Sequence, residues 1–303
     1  MGESFQAMGI AEHRHSAASP DGNATLLQAW AHSYPSIQPP SQPVVAMLTA
    51  AIAPWIAPLD ALPIMQLSYW LSSLDELTAE RQLTLDELRQ RSLIWHTGAL
   101  TGTLNGYLLG EHDELTPMLL DIRSALAHHP LFGALREEWA YEVRRLAEAL
   151  VEKHQAARDY QTGGTATLPS MESYLSYATY SSGVPLWAMT VWIVAQDASI
   201  LEQLDLIHAA TRQASKAVRL YSDLIALERE QPGNYPNAVL IAQRVVNTHA
   251  LSEAQQVVRQ LADSYGQACL VLADRIHTTS GKIEGTLRRR VEFHANFYHT
   301  HAG

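Results

Sequence analysis

Apolar residues return at intervals of three and four along most of the chain, and no run alternates apolar with polar as a half-buried strand would. NATLLQAWAHSY opens a helix on an Asn cap at Asn23. PVVAMLTAAIAPWIA and DALPIMQLSYWLSSLDELTAERQ read as two longer helices with a break at Pro58 between them. TLDELRQRSLIWHTGALTGTLNGYLLG starts on Thr84 with Glu87 three residues later, the spacing of a capping box. DELTPMLLDIRSALAHH and LFGALREEWAYEVRRLAEALVEKHQAARDY continue the helical pattern. TGGTATLPS, residues 162–170, reads as a loop, with helical segments of the same character on both sides.

The later segments are MESYLSYATYSSGVPLWAMTVWIVAQ, SILEQLDLIHAATRQASKAVRLYSDLIALERE, NAVLIAQRVV, SEAQQVVRQLADSYGQACLVLADRIHTT and GKIEGTLRRRVEFHANFYHTH. Together the segments predict about ten to twelve helices and a single all-α domain over residues 23–303. Residues 1–22, polar and small, predict a flexible lead-in, and no internal repeat of fixed period is present.

Composition sharpens this picture in three ways. With 303 residues, 47% of them hydrophobic and 17% charged, the chain has ample apolar surface for a large core. The net charge of -10, with its basic residues scattered apart from the short cluster Arg288, Arg289, Arg290, argues against a nucleic-acid partner. One cysteine, Cys269, has no partner for an intramolecular disulfide and reads as a small buried residue, which suits a reducing cytoplasm. The N-terminal residues lack a signal-peptide pattern, and no uninterrupted apolar run reaches the about 18 residues of a membrane span.

Two acidic stretches stand out. In SYWLSSLDELTAER, Asp75, Glu76 and Glu80 gather at the polar end of an aromatic helix, where carboxylates suit a hard divalent cation or are simply solvated. In RLYSDLIALERE, Ser222, Ala226 and Glu230 share a helix face that drifts by about 40° every four residues. Arg219, Asp223 and Arg229 flank that face, as diphosphate-gripping groups or as ordinary salt-bridged surface. The histidines, among them His128, His129, His13, His15, His299 and His301, form no metal-spaced motif. Trp95, Tyr177, Tyr180, Trp187, Trp192, Phe293 and Tyr298 suit either helix packing or a cavity whose π faces stabilise a cation.

At these residues the chain resembles the class I terpene synthases, and among them the bacterial diterpene synthases of the kaurene-synthase-like or kolavelool-synthase-like kind. The family's metal motif N/D-D-x-x-S/T-x-x-K-E falls on Ser222 to Glu230, with Ser222 and Ala226 departing from it. Its aspartate-rich motif falls on Asp75, Glu76 and Glu80; another register places Ser72 and Ser73 on the paired acids and Glu76 on the last. SMESYLSYATYSSGVPLWAM is similar to the family's helix-break segment, with the break at Gly183, Val184 and Pro185. Ala178 and Thr179 stand where the family carries its diphosphate-sensing Arg, and the C-terminal Arg-Tyr pair is reduced to Tyr298.

The resemblance implies a helical bundle around a central apolar pocket and an enzyme that ionises a prenyl diphosphate with Mg2+, three ions in the family. It implies metal ligation by Asp75, Glu80, Ser222 and Glu230, and catalytic roles for Asp75, Glu76, Gly183 and Arg229. Substrate contacts would come from Arg219, Asp223, Arg229, Tyr177, Tyr180, Trp187 and Tyr298. The implied substrate is a C20 diphosphate of the copalyl or clerodienyl type supplied by a class II diterpene cyclase, since this chain has no D-x-D-D run of its own. Product formation would end by proton loss or water capture, in a monomer or homodimer. Two alternatives stay open: a sesquiterpene synthase using farnesyl diphosphate, and a non-catalytic helical binding or scaffold protein on the same fold.

Overall fold

A computed structural model describes residues 20–37, 42–79, 83–104, 106–107, 113–229, 235–247 and 250–301. The expected lead-in lies outside the described residues as far as residue 19. Among the described residues there are twelve α-helices and no strand, so the all-α reading holds. In chain order they are α1 (Pro20–Ala31), α2 (Gln42–Ile52), α3 (Pro58–Ala79), α4 (Leu85–Thr101), α5 (Leu115–Leu126) and α6 (Phe132–Gly163). Then follow α7 (Met171–Ser181), α8 (Val184–Ala195), α9 (Leu204–Arg229), α10 (Ala238–Val245), α11 (Leu251–Ala273) and α12 (Lys282–His301).

Several boundaries differ from the expected ones for local reasons. The first helix begins at Pro20, three residues ahead of Asn23, because proline's fixed φ suits a first helical position whose N–H has no partner anyway. Pro58 likewise starts α3, while α2 stops at Ile52, before Pro54. Residues 162 and 163 belong to α6, and only 164–170 form the connection, part of it a 3-10 turn. The capping box at α4 is present: Thr84 Oγ1 accepts from the Glu87 N–H at 3.2 Å, and Glu87 accepts from the Thr84 N–H at 2.7 Å. Those bonds from Thr84 hold the Glu87 carboxyl below its usual range.

The chain forms two compact units, residues 1–144 with 187–198, and residues 145–186 with 199–303. The first is built around buried indoles. Trp70 and Trp95 meet edge to face with centroids 5.2 Å apart, and both are fully buried. Each buried indole N–H must find an acceptor: Trp70 donates to the Leu115 carbonyl at 2.8 Å, Trp95 to Thr116 at 2.9 Å, and Trp139 to Thr190 at 2.9 Å.

The second unit packs α9 against α7, α10, α11 and α12. Its core holds Tyr174, Leu175, Tyr177, Leu220, Tyr221, Leu224, Val239 and Ile241. Cys269 is buried, and burial pushes its thiol up to about 12, so it is an inert packing residue as expected. Among the described residues no helix is long and apolar enough to cross a membrane.

Two outcomes follow from these local interactions. Thr84→Ala removes the Oγ1 acceptor of the Glu87 N–H while keeping the backbone N–H that Glu87 accepts from, and is expected to destabilise the protein by about 1 kcal/mol, read from urea unfolding midpoints. On α12, burial and then the charge of Arg290 push His294 down to about 4, against its bond to the Arg290 carbonyl. The unfolded chain binds a proton at His294 below about pH 6.5, which the folded chain refuses until about pH 4, so stability is lost as pH falls through that window. His294→Gln should flatten that part of the pH profile, measured by unfolding at intervals between pH 7 and pH 4.

Candidate functional site

The centre of the candidate site is Asp223 on α9, a carboxylate with no exposed surface. A buried charge needs both a counter-charge and hydrogen bonds to its oxygens. Oδ1 accepts from Arg219 Nη2 one turn earlier, and Oδ2 accepts from the Tyr174 hydroxyl at 2.6 Å and from the Ala238 N–H at 3.1 Å. Arg219 Nε also donates to the Tyr174 oxygen at 2.9 Å, closing a ring of three side chains. Burial works against the Arg219 charge, yet Asp223 and Tyr174 outweigh it and hold the guanidinium above its ordinary pKa. Burial raises the Tyr174 hydroxyl well above the ordinary tyrosine range, so it stays a donor.

The same residue holds the start of the next helix. Asn237 caps α10 by accepting from the Val239 N–H at 2.8 Å, and its Nδ2 donates to the Asp223 carbonyl at 3.0 Å. Thus the side chain and the backbone of one aspartate secure α7, α9 and α10. The expectation that Asp223 touches substrate gives way here: it has no exposed surface, both oxygens are engaged, and its own charge is negative. Tyr174, which sequence reasoning passed over inside ESYLSY, is its main uncharged partner.

Helix α7 ends as its sequence requires. Gly183 is buried with φ +71°, a left-handed conformation that favours glycine, and its N–H donates to the Tyr180 carbonyl at 2.9 Å. Helix α8 begins at Val184, and Pro185 has no N–H to offer the Ser181 carbonyl four residues earlier. The expected break between the two helices is therefore present. Tyr177, on the same helix, lies edge-on to Tyr174 with centroids 5.5 Å apart. Its hydroxyl is buried with no hydrogen-bond partner among the described residues, and burial pushes it above the ordinary range.

The other expected site residues fall in different settings. Arg145 sits over one face of Tyr180 at 4.7 Å, so a protein cation already uses that ring. Trp187 belongs to the first unit, is buried, and donates to Ser68 at 3.0 Å. Trp95 is core. Asp75 and Glu76 lie half-buried on α3, in the first unit, where Glu76 with Glu114 adds to the burial that pushes Tyr69 up to about 12. Ser72 and Ser73 donate to carbonyls four residues back, as ordinary helical serines do. Glu80 and Glu230 lie outside the described residues, as do the side chains of Arg229 and Tyr298.

The donor set tests the implied metal. Mg2+ takes hard oxygen ligands, and Asp75 supplies a carboxylate and Ser222 a hydroxyl. Ser222 Oγ donates its proton to the Val218 carbonyl at 2.9 Å, which leaves its lone pairs as acceptors. Ala226 has no donor atom. Among the described residues no three His, Cys, Asp or Glu side chains gather to hold a metal ion. Taken singly, each in its own unit, Asp75 and Ser222 carry oxygen donors of the kind Mg2+ takes.

The buried ion pair generates a stability test. Asp223→Ala leaves Arg219 and Tyr174 without their shared acceptor and should cost about 3 kcal/mol, whereas replacing Arg219 and Asp223 together by apolar residues should cost less. Denaturant unfolding of the single and double variants measures both.

Residues 66–266 match the sequence profile of Terpene synthase family 2, C-terminal metal binding. A search of curated proteins by sequence finds no match. In structure the chain is similar to linalool/nerolidol synthase from Streptomyces clavuligerus in complex with 2-fluorogeranyl diphosphate, with a TM-score of 0.70 at 12% identity, covering 95% of this chain and 99% of that one. It is similar to 2-methylisoborneol synthase from Streptomyces coelicolor A3(2) in complex with Mg2+ and geranyl-S-thiolodiphosphate, with a TM-score of 0.69 at 14% identity, covering 95% of each chain. It is also similar to the SVS_A2 protein from ancestral sequence reconstruction, with a TM-score of 0.75 at 15% identity, covering 93% of this chain and 85% of that one. At such identities the likeness shows the all-α fold, and the profile match from α3 to α11 supplies the family: the chain belongs to terpene synthase family 2.

Proposed function

We propose that this terpene synthase, a lyase acting on a prenyl diphosphate, is a class I diterpene synthase that ionises a C20 diphosphate and quenches the resulting cation. The observation that carries the reading is the helix break at buried Gly183, in a chain whose family match also takes in both acidic motifs. Asp75 with Glu80, and separately Ser222 with Glu230, would offer oxygen ligands of the kind Mg2+ takes. When bound, Mg2+ neutralises the diphosphate and makes it a leaving group. Arg229, and Arg219 through N–H groups not used by Tyr174 and Asp223, receive the diphosphate oxygens.

On ionisation the allylic C–O bond breaks and positive charge develops on carbon. A backbone carbonyl freed at the Gly183 break would turn its negative dipole to that charge, and Tyr177 would contribute an aromatic ring. Exclusion of water until the last step decides between proton loss to an alkene and water capture to an alcohol. The C20 substrate, of the copalyl or clerodienyl type, requires a class II cyclase upstream. A second reading, a shorter substrate, is favoured by the geranyl-type analogues bound in two structural relatives.

Incubation with C10, C15 and C20 diphosphates, with and without a class II cyclase, followed by product chromatography, tests the proposal. With Mg2+ the C20 substrate should give a diterpene or diterpene alcohol, and Asp75→Asn or Glu230→Gln should lower turnover by about 100-fold or more. Full activity in both variants contradicts the metal ligation, and turnover of C10 or C15 alone contradicts the chain length.

A further inference from the structure

We infer that Tyr174, Arg219, Asp223 and Asn237 form a positioning unit that sets the rotation of α9, and with it the direction in which Ser222 presents its oxygen. The inference rests on the reading that Ser222 faces Mg2+, and it explains how one hydroxyl is held in place when the neighbouring motif position, Ala226, offers nothing.

Asp223 is fixed by donors from three separate elements: Tyr174 of α7, Arg219 of its own helix, and the Ala238 N–H at the start of α10. Asn237 adds a fourth tie through the Asp223 backbone carbonyl. Helix α9 can neither turn about its axis nor slide without breaking several of these bonds at once. Successive helical residues point about 100° apart, so Asp223 pinned inward leaves Ser222 on the half-buried flank.

Net charge does not account for the arrangement. Arg219 and Asp223 balance each other, and Tyr174 and Asn237 are neutral, so the bonds inside the unit orient it, while the Arg219 N–H groups outside those bonds are the ones assigned to the diphosphate. What it provides is orientation of a ligand, and through Tyr174 the same bonds fix α7, which ends at the Gly183 break.

Two variants test this without altering any group assigned to metal or substrate. Tyr174→Phe removes at one atom a donor to Asp223 and an acceptor for Arg219. Asn237→Ser keeps an oxygen able to cap α10 but is too short to reach the Asp223 carbonyl. The measurements are the Mg2+ concentration for half-maximal turnover, and hydrogen exchange of the α9 amides in the metal-free proteins.

The expected result is faster exchange around Asp223 without metal, together with an increase of about 10-fold in half-saturating Mg2+, the scale on which partners of metal ligands act. If the variants melt earlier but half-saturating Mg2+ is unchanged, the network is only structural and the inference is overturned. Should Tyr174→Phe fail to fold, Asn237→Ser decides by the same two outcomes. Wild-type turnover that does not depend on Mg2+ overturns the ligand reading of Ser222 and this inference with it; metal-dependent wild type with unshifted variants overturns this inference alone.

Discussion

A carboxylate without exposed surface persists only when its charge is balanced and its oxygens are hydrogen-bonded, and in the second unit Asp223 imposes that requirement on everything around it. Three elements meet the requirement. Helix α7 brings the Tyr174 hydroxyl, α9 brings Arg219 one turn away, and α10 begins where its first N–H and its capping Asn237 both face the aspartate. Apolar residues in the same positions would supply comparable burial energy but no fixed register between the helices. A buried ion pair is therefore better understood here as a device for specifying geometry than as a source of stability.

The same logic operates with uncharged groups in the first unit. Trp70, Trp95 and Trp139 bury large rings, and each indole N–H reaches an oxygen on another helix or its connection. Every such bond fixes the rotation of the ring as well as satisfying it. Trp95 and Trp187, which by composition alone suit a cation-lining role, are occupied in this way. Tyr177 is different: its ring is packed, but its hydroxyl has no partner among the described residues.

Helix periodicity, the Thr84 capping box and the break at Gly183 were legible because each is written in residues close together in sequence. The helix starts at Pro20 and Pro58 were readable in principle, since proline favours first helical positions as well as breaking helices. The acidic stretches were legible as candidates but not in their roles. Asp223 and Arg219 looked like surface groups or substrate contacts, because a sequence shows their spacing and not the burial that pairs them. Tyr174 lies 49 residues from Asp223, and no local pattern connects them. Asn237, whose side chain caps α10 and reaches the Asp223 carbonyl, likewise lies 14 residues from Asp223.

The central claim is that Asp223 and its partners act as one unit in orienting α9. A double-mutant cycle combining Tyr174→Phe and Asn237→Ser, read in Mg2+-dependent pyrophosphate release, measures this most directly, because the two side chains are joined through Asp223. The account predicts a coupling energy of about 1 kcal/mol, the scale seen within shared hydrogen-bond networks. Strict additivity of the two effects would contradict it.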